Sequence, residues 1–113
     1  MRKEDILQRQ VAMYLRIQYP HVLWQHTANE RLTSPAQGAR LKALGVRAGS
    51  PDILIFQKNK DYSGLAIELK IHPNRPTESQ RSFLSQLEKN QWRTAVCYSF
   101  EEVKKIIDDY LKR

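Results

Sequence analysis

Apolar side chains return every three or four positions between residues 4 and 19, with Leu7, Val11, Tyr14 and Leu15 on one side beside Gln18, and Pro20 stops the pattern. That spacing predicts an amphipathic helix. Residues 21–29 open with Val22, Leu23 and Trp24, turn polar at Asn29-Glu30-Arg31, and read as a strand entering a loop. A segment rich in turn residues follows, with Pro35, Gly38, Gly45 and Gly49, and residues 39–44 form a short helical piece inside it. Two apolar runs, 52–57 and 64–71, flank the polar loop Lys58-Asn59-Lys60-Asp61-Tyr62-Ser63-Gly64, which predicts a β-hairpin. Thr77-Glu78-Ser79-Gln80 has the form of a capping box and starts a helix carrying Phe83, Leu84 and Leu87 to about Asn90. A strand over 93–98 and a helix over 100–111, with Val103, Ile106, Ile107, Tyr110 and Leu111 on one side, close the chain. The main elements run α-β-β-β-α-β-α, an α/β fold with a mixed central sheet flanked by helices.

The two hairpin strands are apolar on both faces, as Ile53 and Ile55 alternate with Leu54 and Phe56, and Ile67 and Leu69 with Leu65 and Ala66. Strands of that kind are covered on both sides. Three charges break the pattern: Asp52 opens the first strand, and Glu68 and Lys70 share one face of the second. A hairpin centred near Lys60 sets Asp52 opposite Glu68, with Cβ atoms about 4.5–5.5 Å apart. Two carboxylates so placed repel unless a positive group lies between them, and hard oxygen donors suit Mg²⁺ or Mn²⁺. An unpaired buried acid or lysine is costly, so the three residues share a purpose. A structural salt-bridge cluster is the rival account.

Other residues carry two meanings. Glu4 lies on the buried face of the first helix, where it either complements the helix dipole or adds a carboxylate to the hairpin site, with Gln8 one turn on in support. Gln80 belongs to the capping box and also shares a face with Phe83 and Leu84, which points it towards the sheet. His26 reads as structural or solvent-facing, and no second His or Cys stands at zinc spacing. Arg31, Arg40, Lys42 and Arg47 make the segment before Asp52 basic, which suits phosphate-backbone contacts as well as an ordinary solvated loop. Arg75 and Arg81 flank Gln80 within reach of phosphates. The segment lacks the spacing of an NTP-binding loop.

Length and charge narrow the class. The 113 residues fit one domain, 1–113, and 41% apolar with 27% charged residues is a globular composition. Nineteen Lys and Arg against twelve Asp and Glu give +7, a balance that suits a polyanionic partner as well as a merely basic surface. The lone Cys97 forms no internal disulfide and reads as a core residue in a reducing compartment. No apolar run approaches a membrane span and no signal-peptide core follows the N-terminus, so an intracellular, cytoplasmic location is expected.

The series Gly49-Ser50-Pro51-Asp52, Ile67-Glu68-Leu69-Lys70 and Gln80 resembles the VRR-NUC (virus-type replication–repair nuclease) branch of the PD-(D/E)xK superfamily. The resemblance spans nearly the whole chain. It implies a restriction-endonuclease-like fold and a metal-dependent DNA endonuclease producing 5′-phosphate and 3′-hydroxyl ends. Asp52 and Glu68 would bind one or two Mg²⁺ or Mn²⁺ ions with the Leu69 carbonyl and Glu4, while Lys70 and Gln80 complete the catalytic set. Stand-alone members resemble Holliday-junction resolvases, which implies a homodimer acting on branched DNA, a four-way junction or flap, in a bacterial or phage-infected host. The readings from other classes are a non-catalytic DNA-binding module and an interaction subunit of a repair complex.

Overall fold

The computed structural model describes residues 1–27 and 34–112. Its elements are α1 (Lys3–Gln18), β1 (Trp24–His26), α2 (Pro35–Ala43), β2 (Ile53–Ile55), β3 (Gly64–Leu69), α3 (Glu78–Lys89), β4 (Trp92–Cys97) and α4 (Phe100–Leu111). The sheet runs β1-β2-β3-β4, antiparallel across the first two joints and parallel across the last. Parallel neighbours need a crossover, and α3 supplies it.

Alternation sorts the side chains. Ile53, Ile55, Leu65, Ile67 and Leu69 meet Leu7, Val11 and Leu15 of α1 and Val103, Ile107 and Tyr110 of α4 in one apolar core that includes Cys97. The other face of β3 carries Ala66 and Glu68. All of β3 is buried, as expected for the central strand. On β2 the expectation of two covered faces fails: Leu54 is only half-buried and the adjoining Phe56 is exposed. The crossover helix packs over β4 and leaves this face of β2 open. Phe56 instead meets the edge of Trp92, 5.9 Å between centroids. Trp92 lies over Gly64, its partner in the parallel register, where any Cβ would come within 2.6 Å of the indole ring.

Two local departures have simple causes. The strand expected over 21–29 is a three-residue strand, since Leu23 stays exposed, and its expected end at Asn29 lies outside the described residues. The helical piece expected over 39–44 is a helix beginning at Pro35, capped by Ser34, whose hydroxyl accepts from the Gln37 N–H. It buries no residue, so its amphipathic signal was faint.

The ends of the hairpin and of the chain are clamped together. Asn59 Oδ1 accepts from the Asp61 and Tyr62 N–H groups, and its Nδ2 donates to the Tyr110 carbonyl at 3.1 Å. The buried Tyr110 hydroxyl donates to the Gln57 carbonyl at 2.7 Å.

Asp108 ties α4 to α1. Its Oδ1 accepts from the Tyr14 and Tyr19 hydroxyls at 2.5 and 2.6 Å, while Lys104 approaches Oδ2 at 3.3 Å. Burial alone would raise the Asp108 pKa, but the two phenols and the ammonium together hold it below its ordinary value. A depressed pKa contributes stability above the unfolded-state value that is lost as the pH falls through the folded-state value. Asp108→Ala is therefore expected to cost about 2 kcal/mol at pH 7. In urea unfolding, the gap from the wild type should close as the pH drops below the aspartate range.

Candidate active site

The hairpin register pairs Ile53 with Ile67 and Leu54 with Ala66, and one step further brings Asp52 alongside Glu68. Asp52 lies just before β2, where its Oδ2 accepts from the Leu69 N–H at 2.7 Å. Glu68 is 2% exposed. Its Oε2 accepts from Gln80 Nε2 at 3.0 Å and lies 3.8 Å from the Lys70 ammonium. Its Oε1 is buried without a partner. Burial first, and the facing Asp52 carboxylate second, push the Glu68 carboxyl up to about 9, with Lys70 opposing the shift and Glu4 adding to it.

Gln80 performs both of the jobs expected for it. Its Oε1 accepts from the Thr77 N–H at 2.8 Å while its own N–H donates to Thr77 Oγ1, a complete capping box. The amide nitrogen left over reaches Glu68. The cap thus fixes the rotamer that presents Nε2 to the carboxylate.

Gly49 joins this helix start to the Asp52 segment. Its φ is +86°, and a Cβ there would collide with the Ser79 carbonyl and come within 2.8 Å of the Gln80 nitrogen. Only glycine satisfies both the backbone angle and the close approach. Pro51, fully buried, then leads into Asp52.

A cavity of about 430 Å³ opens over this cluster, and Glu4, Asp52, Glu68, Leu69, Lys70 and Gln80 all line it. Among the described residues no three His, Cys, Asp or Glu side chains converge as a metal-holding group. Glu4 contributes a wall and a field there. The donors at hand are two carboxylates, one with an uncommitted buried oxygen, and the backbone at Leu69. That all-oxygen set, with room for water and phosphate, fits a Mg²⁺-like cation and not zinc.

The structure also brings in residues outside the predicted catalytic set. His26 lines the cavity, and its Nδ1 lies 2.8 Å from the Asp52 carbonyl. A carbonyl only accepts, so Nδ1 carries a proton and donates to it. Thr27 N–H donates to the same carbonyl at 3.0 Å. Arg2, Asp5 and Gln8 of the α1 end complete this side. Gln8 had a signal, its helical spacing from Glu4; His26 had none, because its partner is a distant backbone atom.

The basic residues expected to meet phosphate are less concentrated. Arg40 and Lys42 lie on exposed α2, and Arg75 is exposed in the loop after β3. Arg47 stacks its guanidinium 5.5 Å above the Phe83 ring, and Arg81 donates to the Pro76 carbonyl at 2.7 Å. None of these five lines the cavity, and Arg31 lies outside the described residues.

A model of the VRR-NUC domain family matches residues 2–101. A solved structure described as a "VRR_NUC domain protein" is 25% identical, with a TM-score of 0.78 over 96% of this chain and 88% of that one. A second, described as a "VRR_NUC domain", is 20% identical, with a TM-score of 0.59 over 92% of this chain and 97% of that one. No curated protein matches the sequence.

A carboxyl with a raised pKa favours the folded state at pH values below its ordinary 4.5, and that contribution is lost as the pH climbs towards about 9. In EDTA, the wild type should therefore lose stability across neutral pH, because Glu68 keeps its proton in the fold while the unfolded chain gives it up. Glu68→Gln should remove this dependence and be about 1 kcal/mol more stable than wild type at pH 8, read from thermal melts.

Proposed function

The chain belongs to the VRR-NUC family of nuclease domains, and from that premise we propose that it is a Mg²⁺- or Mn²⁺-dependent endodeoxyribonuclease that cuts branched DNA, four-way junctions foremost. One observation carries this reading. A nearly fully buried glutamate stands beside a second carboxylate, with a lysine and a glutamine both directed at its Oε2, in one solvent-reaching cavity. A salt bridge made for stability alone would not leave the second glutamate oxygen unpartnered.

Asp52 and Glu68 are the residues that would hold the cation, with the Leu69 carbonyl beside them. Bound there, the cation supplies an acidified water as nucleophile and neutralises charge on phosphate and on the departing 3′ oxygen. The Leu69 N–H fixes the Asp52 carboxylate through Oδ2. Lys70 adds positive charge where the phosphate must enter and is placed to orient or take a proton from the attacking water. Gln80 holds Glu68 Oε2 in place through its capped rotamer. Exposed Arg40, Lys42 and Arg75 would take up phosphates away from the scissile bond.

Paired cuts on a junction need two sites, hence a homodimer. Ile6, Met13 and Ile17 support that step: they are exposed, fall seven and four residues apart, and form an apolar stripe on the side of α1 turned away from the core. The cellular interior of a bacterium or of its phage-infected host is the proposed location.

Incubating the protein with a four-way junction, a flap, a duplex and a single strand, in Mn²⁺, Mg²⁺ or EDTA, tests this. Cutting that requires the cation, is lost in Asp52→Ala and slows by about 100-fold or more in Lys70→Ala is expected. Symmetric nicks confined to the junction would identify the branched substrate. Salt-sensitive binding with no cutting in any cation would replace the nuclease by a DNA-binding module.

A further inference from the structure

Among the described residues, three buried side-chain polar atoms lack a hydrogen-bond partner: Glu68 Oε1 and both Nε2 and Oε1 of Gln8. They come from β3 and α1, yet both residues line the same cavity. The mechanism accounts for the glutamate oxygen and makes no use of Gln8.

A buried primary amide with neither end satisfied is costly, and packing does not call for one here. Leu7, Val11 and Leu15 carry the contact of α1 with the core.

The missing ligand must therefore offer a donor and an acceptor together. An ammonium-type ligand only donates and leaves Nε2 unmet. A free anion only accepts and leaves Gln8 Oε1 unmet. Water answers both ends of the amide, and a water bound to a cation is the stronger donor of the two kinds.

We propose that Gln8 is a positioning residue for the hydration shell of the cation held at Asp52 and Glu68. Its Oε1 accepts an O–H from a cation-bound water, and its NH₂ donates to an oxygen in the same cluster. This rests on the metal-dependent reading above.

The test measures Mn²⁺ binding by isothermal titration calorimetry without DNA, together with thermal melts in EDTA, on wild type, Gln8→Met and Asp52→Ala. Gln8→Met keeps the side chain's length and removes both polar atoms. It should bind Mn²⁺ about tenfold more weakly, while melting in EDTA at or above the wild-type temperature. Unchanged Mn²⁺ affinity, or a lowered melting temperature in EDTA, would overturn the assignment while leaving the metal site standing. A wild type that takes up no Mn²⁺ overturns the metal reading and this one with it. Should Gln8→Met fail to melt cooperatively, Gln8→Ala is judged by the same two measurements.

Discussion

Two carboxylates side by side, one of them withdrawn from water, impose the constraint around which the fold is arranged. Left alone, they would repel with a strength that grows as the surroundings become drier. The protein does not relieve this by moving them apart. It pins Asp52 to the backbone of β3, gives Glu68 one amide and one distant ammonium, and leaves its remaining oxygen open. Such an arrangement is unfavourable to the empty fold, and under the proposed function a doubly charged cation would relieve it, the trade between stability and activity seen at many functional sites.

The rigidity needed for that arrangement comes from backbone contacts more than from side-chain bulk. Gly49 presses the approach to Asp52 against the first turn of α3, and the same turn spends the Gln80 side chain on both its own cap and Glu68. Helix start, loop and carboxylate are therefore one mechanical unit. Gly64 does the analogous job at the far end of β3, where its bare Cα lets Trp92 lie across the strand to Phe56.

The sequence was most informative where a single periodicity governed. The loop length and two-residue alternation gave the hairpin register, and with it the meeting of Asp52 and Glu68; α4 over 100–111 appeared with its observed bounds. Gln80 was legible because a capping box and an apolar face coincide on it. Legibility failed where the deciding partner is remote or is backbone. His26 gains its place from the Asp52 carbonyl, and Arg47 and Arg81 are drawn to a phenyl ring and a proline carbonyl that charge counting does not see. Helix α2, with nothing to bury, left too faint a pattern for its length to be read.

The clamp between Asn59 and Tyr110 has a consequence in time. A ribosome makes the chain from one end, so the acids at 4, 52 and 68 and the amide at 80 are all synthesised before residue 110 is joined. Until then the hairpin loop lacks the carbonyl that holds Asn59, and Gln57 lacks the hydroxyl that ties it to the core. The chemistry-bearing residues are thus delivered first, and the fastener of the hairpin that carries Asp52 and Glu68 is delivered after them.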